Sequence, residues 1–468
     1  MMTTFRKIIK WIGISLAGVV ILAIVVHIVL NITFGAQLRH KIRELKAQGR
    51  PMTMLEITPL SVPEDKNAAM LYNKVFALMT SGEGGEPYIP NKNKGKNNKI
   101  VTAIEEVESF LDISKWTEEQ REKIPKLINS QEMQEIYTLL KEASKRLRCN
   151  FNLEYEKGVN MSIHHIRMIR SAVSLLLVKV RLEAESGNVA RAFDTLLISL
   201  RMTNHIREEP VLISQMLRIF CDRLIIESIK GILDKDNISQ EKARSVIAEL
   251  IKHTGSEPFK KGIARERIIC GKEYQKILDG KYSMREFRTF FSGGDFPKLF
   301  YLLPTLPFRS LLKKDFTTFL TYISETEDLF GMPYYEGVIK GKEIELMLKK
   351  SPDYLLAKVI TFAFTNIREE TALHEADIQL CRVGLGLVVY KAENGIYPEL
   401  LNELTPDILD EIPLDPFTGK SLAYRKVTSG FILYSLGPNL KDDEGIQRAT
   451  RKTEKAYTDY DVVFKCKG

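Results

Sequence analysis

The sequence predicts a mainly α-helical chain, a helical bundle or irregular α-solenoid, that opens on a transmembrane helix and closes on a small α+β domain. Three observations lead there. Residues 11–34 form an apolar run, Ala36 to about Ile367 shows helical spacing of apolar residues, and Val388 to Gly445 passes from helix into alternating strands punctuated by glycine turns. They divide the chain into a tail and transmembrane signal anchor at 1–35, a helical domain at 36–368 and an α+β domain at 369–468, read as a long helix plus a three-stranded antiparallel sheet.

At 468 residues the chain is too long for one ordinary core. Its 44% hydrophobic and 27% charged residues are those of a globular protein rather than a disordered one. The net charge of +8 is spread among acids in nearly every segment, which reads as solvated helix faces and not as a nucleic-acid surface. Cys149, Cys221, Cys270, Cys381 and Cys466 are scattered, odd in number and never spaced C-x-x-C, so core packing explains them better than a zinc site or disulfide framework.

The first element follows Arg6, Lys7 and Lys10. From Trp11 to Phe34 only Ser15, His27, Asn31 and Thr33 are polar, enough length for the roughly 20 apolar residues that cross a bilayer. A cleavable signal would have a shorter apolar stretch and a small-x-small exit, whereas Phe34 occupies the third position before a cut after Ala36. The run is therefore an uncleaved anchor, and the lipid bilayer is the first partner. Arg39, Lys41, Arg43, Lys46 and Arg50 compete with the basic N-terminus for the cytoplasmic side. A ten-residue tail before the span is nonetheless the layout of an export signal, so the bulk is expected outside the cytoplasm, single-pass from a bacterial inner membrane into the periplasm.

Helices follow in order. A basic juxtamembrane helix ends at Gly49 before Pro51, a second covers N-A-A-M-L-Y-N-K-V-F-A-L-M after Pro63, and 81–100 lacks periodicity and reads as a mobile loop. Two or three amphipathic helices fill 101–148. A glycine turn at Gly187-Asn188 then joins two helices with Ala184 and Ala192 at their close approach, an antiparallel pair that weakly resembles a tetratricopeptide hairpin without its 34-residue repeat. Pro210 opens the next helix, others end near His253 and run through A-R-E-R-I-I-C-G-K-E-Y, and Phe291–Phe308 is a hydrophobic, broken connection. Helices resume at Leu311, after Pro333 and after Pro352.

Histidines and carboxylates are where chemistry would reside. His164 and His165 are adjacent and point to different faces; His205 beside Glu208 and Glu209 reads as a helix-end cap; His374 to Asp377, H-E-A-D, lacks the second histidine of H-E-x-x-H and reads as a solvated face. Gly384-x-Gly386 in an apolar helix reads as close packing rather than phosphate binding. A hydrolase built on His165, His205 and nearby carboxylates remains as an alternative.

The terminal helix stops at Asn394-Gly395, then come Tyr397-Pro398, I-P-L-D-P-F-T-G-K, paired strands divided at Ser429-Gly430, S-L-G-P-N-L-K-D-D-E-G and a third strand in D-Y-D-V-V-F. This order, over roughly the last fifth of the chain, resembles the globular core of type II secretion major pseudopilins. The resemblance implies a calcium-binding acidic loop, which falls here on Asp442 and Asp443 with Asp461 closing and Asn439 beside them. The chain departs from that family in having no G-F-x-x-x-E before the span and more than three hundred residues between span and module. The expected function is a non-enzymatic, membrane-anchored interaction or scaffold protein of the bacterial cell envelope, partnered by envelope or secretion-system proteins. The alternatives are an envelope hydrolase and an accessory component of a type II secretion-like apparatus.

Overall fold

The computed structural model describes residues 2–80, 116–233, 238–281, 309–350, 356–428, 430–446 and 461–467. The loop expected at 81–100, the helical pattern between 101 and 115, the connection Phe291–Phe308 and the side chain of Cys466 lie outside what is described. The chain is mostly helical, with one small sheet near its C-terminus.

α1 (Met2–Ala47) joins the expected span and juxtamembrane helix into one element of 46 residues, about 69 Å at 1.5 Å per residue. It ends where the sequence places a stop. Gly49, at φ +71°, lets its own N–H reach Lys46 O and that of Arg50 reach Leu45 O, which closes the last turn before Pro51. α2 (Met54–Ile57) is a single turn, and α3 (Ala68–Thr80) is the expected second helix. α4 (Glu118–Ile128) starts on a Thr117–Gln120 capping box and α5 (Gln131–Ser144) on the Ser130 hydroxyl. Next come α6 (His164–Glu185), α7 (Val189–His205), α8 (Leu212–Leu233) and α9 (Gln240–Leu250), the last followed by a 3₁₀ turn, Ile251–His253. Pro210 stands just outside α8 rather than in its first turn. α10 (Glu257–Leu278), α11 (Arg309–Leu329), α12 (Tyr334–Lys350) and α13 (Leu356–Asn394) complete the helices.

Two compact units result. One comprises Met1–Ile57, Ile263–Leu329 and Ile339–Asn366, the other Thr58–Gly262, Phe330–Val338 and Ile367–Gly468. The boundary drawn from sequence at 368/369 falls inside α13.

In the first unit α11 packs along the C-terminal half of α1. Arg50 fastens the pair, reaching Asp328 at 2.7 Å and Glu327 at 3.1 Å, while buried Arg267 bonds Glu327 and donates to the Pro51 carbonyl at 3.0 Å. Tyr274 stacks on Phe316 at 4.6 Å and donates to Asp315. Among the described residues, α1 is the one helix long and apolar enough to cross a membrane, and none of its most apolar stretch is buried within the chain.

In the second unit α6 and α7 form the expected antiparallel pair, turning at Gly187 (φ +77°), with Ala184 and Ala192 buried. α7, α8 and α9 pack onward from it. β1 (Ala423–Val427), β2 (Gly430–Ser435) and β3 (Val462–Lys467) form an antiparallel sheet in that order, with Tyr424 opposite Leu433 and Leu433 opposite Phe464. Period-two alternation turns Phe431 and Leu433 inward, and the Phe431 ring lies parallel to that of Phe464 at 6.3 Å. The buried residues of sheet, α13 and helical body form one continuous cluster from Ala68 to Phe464. Gly384 is where this contact is tightest, because a Cβ there would overlap the Phe464 ring; Gly386 faces Leu404, Ile408 and Leu409. The G-x-G is thus a packing device, as its sequence context suggested. Cys149, Cys221, Cys270 and Cys381 are buried free thiols.

Candidate functional site

The polar heart of the second unit is the carboxylate of Asp222, fully buried on α8. Its Oδ1 accepts from the Thr203 hydroxyl of α7 at 2.6 Å. Its Oδ2 accepts from His253 Nδ1–H, after α9, and from His374 Nε2–H of α13, both at 2.9 Å. An ionised carboxylate only accepts, so both imidazoles donate, and His253 Nε2 is left buried without a partner. Arg218, one turn before Asp222 and equally buried, approaches Oδ2 at 3.5 Å and donates to the His253 carbonyl at 3.3 Å. Its Nε donates to Gln215, whose amide donates in turn to the carbonyls of Ile206 and Glu209.

These contacts set the charges. Burial alone would raise the Asp222 carboxyl, but His253 and His374 outweigh it and hold it well below the usual carboxylate range. Burial pushes His374 down to about 4, against the pull of Asp222. His374 is therefore a neutral donor to a buried anion whose counter-charge is Arg218.

A second link lies in the same unit. His165 Nε2–H donates to both oxygens of Glu209, at 2.9 and 3.1 Å, with the Phe151 ring 4.5 Å from its own. His205 Nε2–H donates to the Arg146 carbonyl at 2.8 Å, so its Nδ1 is the acceptor for the Tyr72 hydroxyl, also at 2.8 Å. Burial lowers the His205 pKa. His205 is consequently not the exposed cap that its place at a helix end suggested, and H-E-A-D does not lie on a solvated face: His374 is 2% exposed and Asp377 meets Arg223. His164 and His165 do diverge, the first exposed and the second buried. Sequence reasoning passed over Asp222, Arg218, His253 and Tyr72. The available signal was Arg218 and Asp222 at i,i+4 inside L-I-S-Q-M-L-R-I-F-C-D, charges set in an apolar helix face.

Of the four residues singled out for calcium, Asn439, Asp442 and Asp443 lie after β2 and Asp461 lies just before β3. Asp461 Oδ2, just before β3, accepts from the backbone N–H of Asp443 at 3.2 Å and Gly445 at 2.8 Å, and its Oδ1 is buried without a partner. Asn439 Nδ2 donates to Asp443 Oδ2 at 3.2 Å. Asp442 is engaged elsewhere, accepting from Tyr434 and from Glu444 N–H at 2.9 Å each. Burial raises the Asp461 carboxyl, and the charges of Asp443 and Asp442 add to that. Among the described residues no three His, Cys, Asp or Glu side chains are gathered to hold a metal, so a cation here would rely on Asp461, Asp443, Asn439 and loop carbonyls.

No known protein family, curated protein or solved structure matches the chain.

Proposed function

We propose that the chain is a membrane-anchored interaction or scaffold protein of the bacterial cell envelope, with its span in the inner membrane, its bulk in the periplasm and a pseudopilin-like C-terminal module that binds calcium. The observation that carries this reading is α1, whose apolar stretch is left uncovered by the chain while the segment just after it is fastened to α11 by Arg50 and to α10 by Arg267. The histidines that a hydrolase would use support a non-catalytic role, since His165, His205, His253 and His374 each spend ring nitrogens on bonds that tie buried helices together. The bond from His374 on α13 to Asp222 on α8 favours a bundle over a solenoid, because solenoid repeats touch only their neighbours. The orphaned Asp461 oxygen supports calcium, a hard cation that takes oxygen donors.

The test is affinity purification of the full chain from detergent extract. Stoichiometric recovery of envelope proteins is the expected result. Enrichment of secretion-apparatus components would move the reading to an accessory of that apparatus, and a copurifying small-molecule substrate or transition metal would move it to a hydrolase.

A further inference from the structure

The run Trp11–Leu30 is 20 residues long, which at 1.5 Å per residue spans about 30 Å, the thickness of a bilayer's hydrocarbon core. Asn31 therefore stands at the level where hydrocarbon gives way to headgroups. At that level α11 joins α1: Lys313 Nζ donates to Asn31 Oδ1 at 2.7 Å, and Lys314 Nζ lies 5.7 Å from the centre of the Phe34 ring. One turn on, Gly35 is buried between two cations, since a Cβ there would lie 3.4 Å from Arg39 Nη1 and 3.5 Å from Lys313 Nζ. Arg309, one turn before Lys313, adds a third cation, and its Nε is buried without a partner.

Among the described residues no carboxylate pairs with Arg39, Arg309 or Lys313, in contrast with Arg50 just past the end of α1, which has two. Burial, then the neighbouring charges of Arg39 and Arg309, lowers the Lys313 pKa. Like charges crowded on two packed helices repel unless an anion lies among them. The bilayer offers one at this height, a lipid phosphate, whose geometry suits guanidinium and ammonium donors.

We infer that Arg39, Arg309 and Lys313 form a binding platform for the headgroups of anionic phospholipids, built by α1 and α11 together at the end of the span. The inference rests on α1 being the membrane span and adds a lipid class and a second helix to it. It also gives the basic residues after the span a task other than deciding topology.

The experiment solubilises the full chain in mixed micelles of equimolar phosphatidylglycerol and phosphatidylcholine and measures the retained lipids by mass spectrometry. Wild-type protein is expected to enrich phosphatidylglycerol at least about fivefold, the factor that one lipid-facing cation supplies. R39Q/R309Q/K313Q should bring the ratio close to that of the bulk mixture, and R39K/R309K/K313R should preserve most of the enrichment. On wild-type protein alone, raising salt from 0.1 to 1 M shortens the screening length from about 10 to 3 Å and should strip most of it. Wild-type protein that retains the two lipids in bulk ratio, or an enrichment that survives high salt, overturns the platform. Alkaline carbonate extraction separates the two levels: release of wild-type protein from membranes removes the span and the platform with it, whereas firm retention without lipid selectivity removes the platform alone.

Discussion

Replacing Asp222 by asparagine should destabilise the second unit more than any other single isosteric change. The carboxylate accepts from Thr203, His253 and His374 and is the counter-charge of Arg218, all of them in the interior. Asparagine keeps the volume but removes the charge, and its amide nitrogen confronts donors. Hydrogen bonds to a charged acceptor are worth about 1.5–3 kcal/mol each, but bonds in one network do not add, so their sum overstates the loss. The better guide is the cost of breaking a buried ion pair from one side, about 3–5 kcal/mol, because Arg218 stays behind uncompensated. The chain contains two tryptophans, Trp11 in the apolar stretch of α1 and buried Trp116 in the second unit, so a Trp11→Phe background makes Trp116 fluorescence the reporter of urea unfolding. At pH 7 the Asp222→Asn variant should lose about 3–5 kcal/mol by linear extrapolation. Adding Arg218→Met should restore part of that loss, since a pair removed together leaves no orphaned charge. A loss under about 1 kcal/mol, or no recovery in the double variant, would refute the reasoning.

Three further outcomes follow from the same structure. His374 is held near 4 in the folded state against about 6.5 when unfolded, so above pH 6.5 it costs nothing, and between pH 6.5 and 4 the unfolded chain takes up a proton that the folded one refuses; stability should fall across that window by roughly 3 kcal/mol, and His374→Gln should flatten the slope in a pH series of urea melts. Gly384→Ala should cost about 1–3 kcal/mol through overlap with Phe464, and Phe464→Leu should relieve part of it; additive losses in that double-mutant cycle would contradict the packing account. Calcium at a hundred times its dissociation constant should stabilise the folded chain by about 2.7 kcal/mol, and Asp461→Asn should abolish the effect; melting curves that coincide with calcium and with chelator would remove the site.

How much of this was legible in the sequence depended on whether the signal was local. The long apolar N-terminal helix, the stop at Gly49, the turn at Gly187, the hairpin at Gly430 and the small-residue contact at Gly384 are properties of a few neighbouring residues, and each lies where the sequence placed it. The reach of one element differs: the span and the juxtamembrane helix, read as two segments meeting at 35/36, form the single helix α1. The buried network was not legible. Thr203, Asp222, His253 and His374 are separated by up to 171 positions and meet only when α7, α8 and α13 pack, so His374 alone reads as a solvated side chain and the other three carry no signal of their own. The burial of His205 escaped notice for the same reason, its partners being Tyr72 and the Arg146 carbonyl. The acidic residues stood between these cases: Asp461 and Asn439 are brought to Asp443, while the turning of Asp442 toward Tyr434 depends on the sheet register.

The central claim is that α1 anchors an exported body, and a paired reporter fusion after Gly468 tests it most directly. A reporter active only outside the cytoplasm should be active, with the carbonate-washed membrane holding the protein and the cytoplasmic reporter silent. An active cytoplasmic reporter with a silent exported one would reverse the topology, and release of the fusion from washed membranes would contradict the anchor itself.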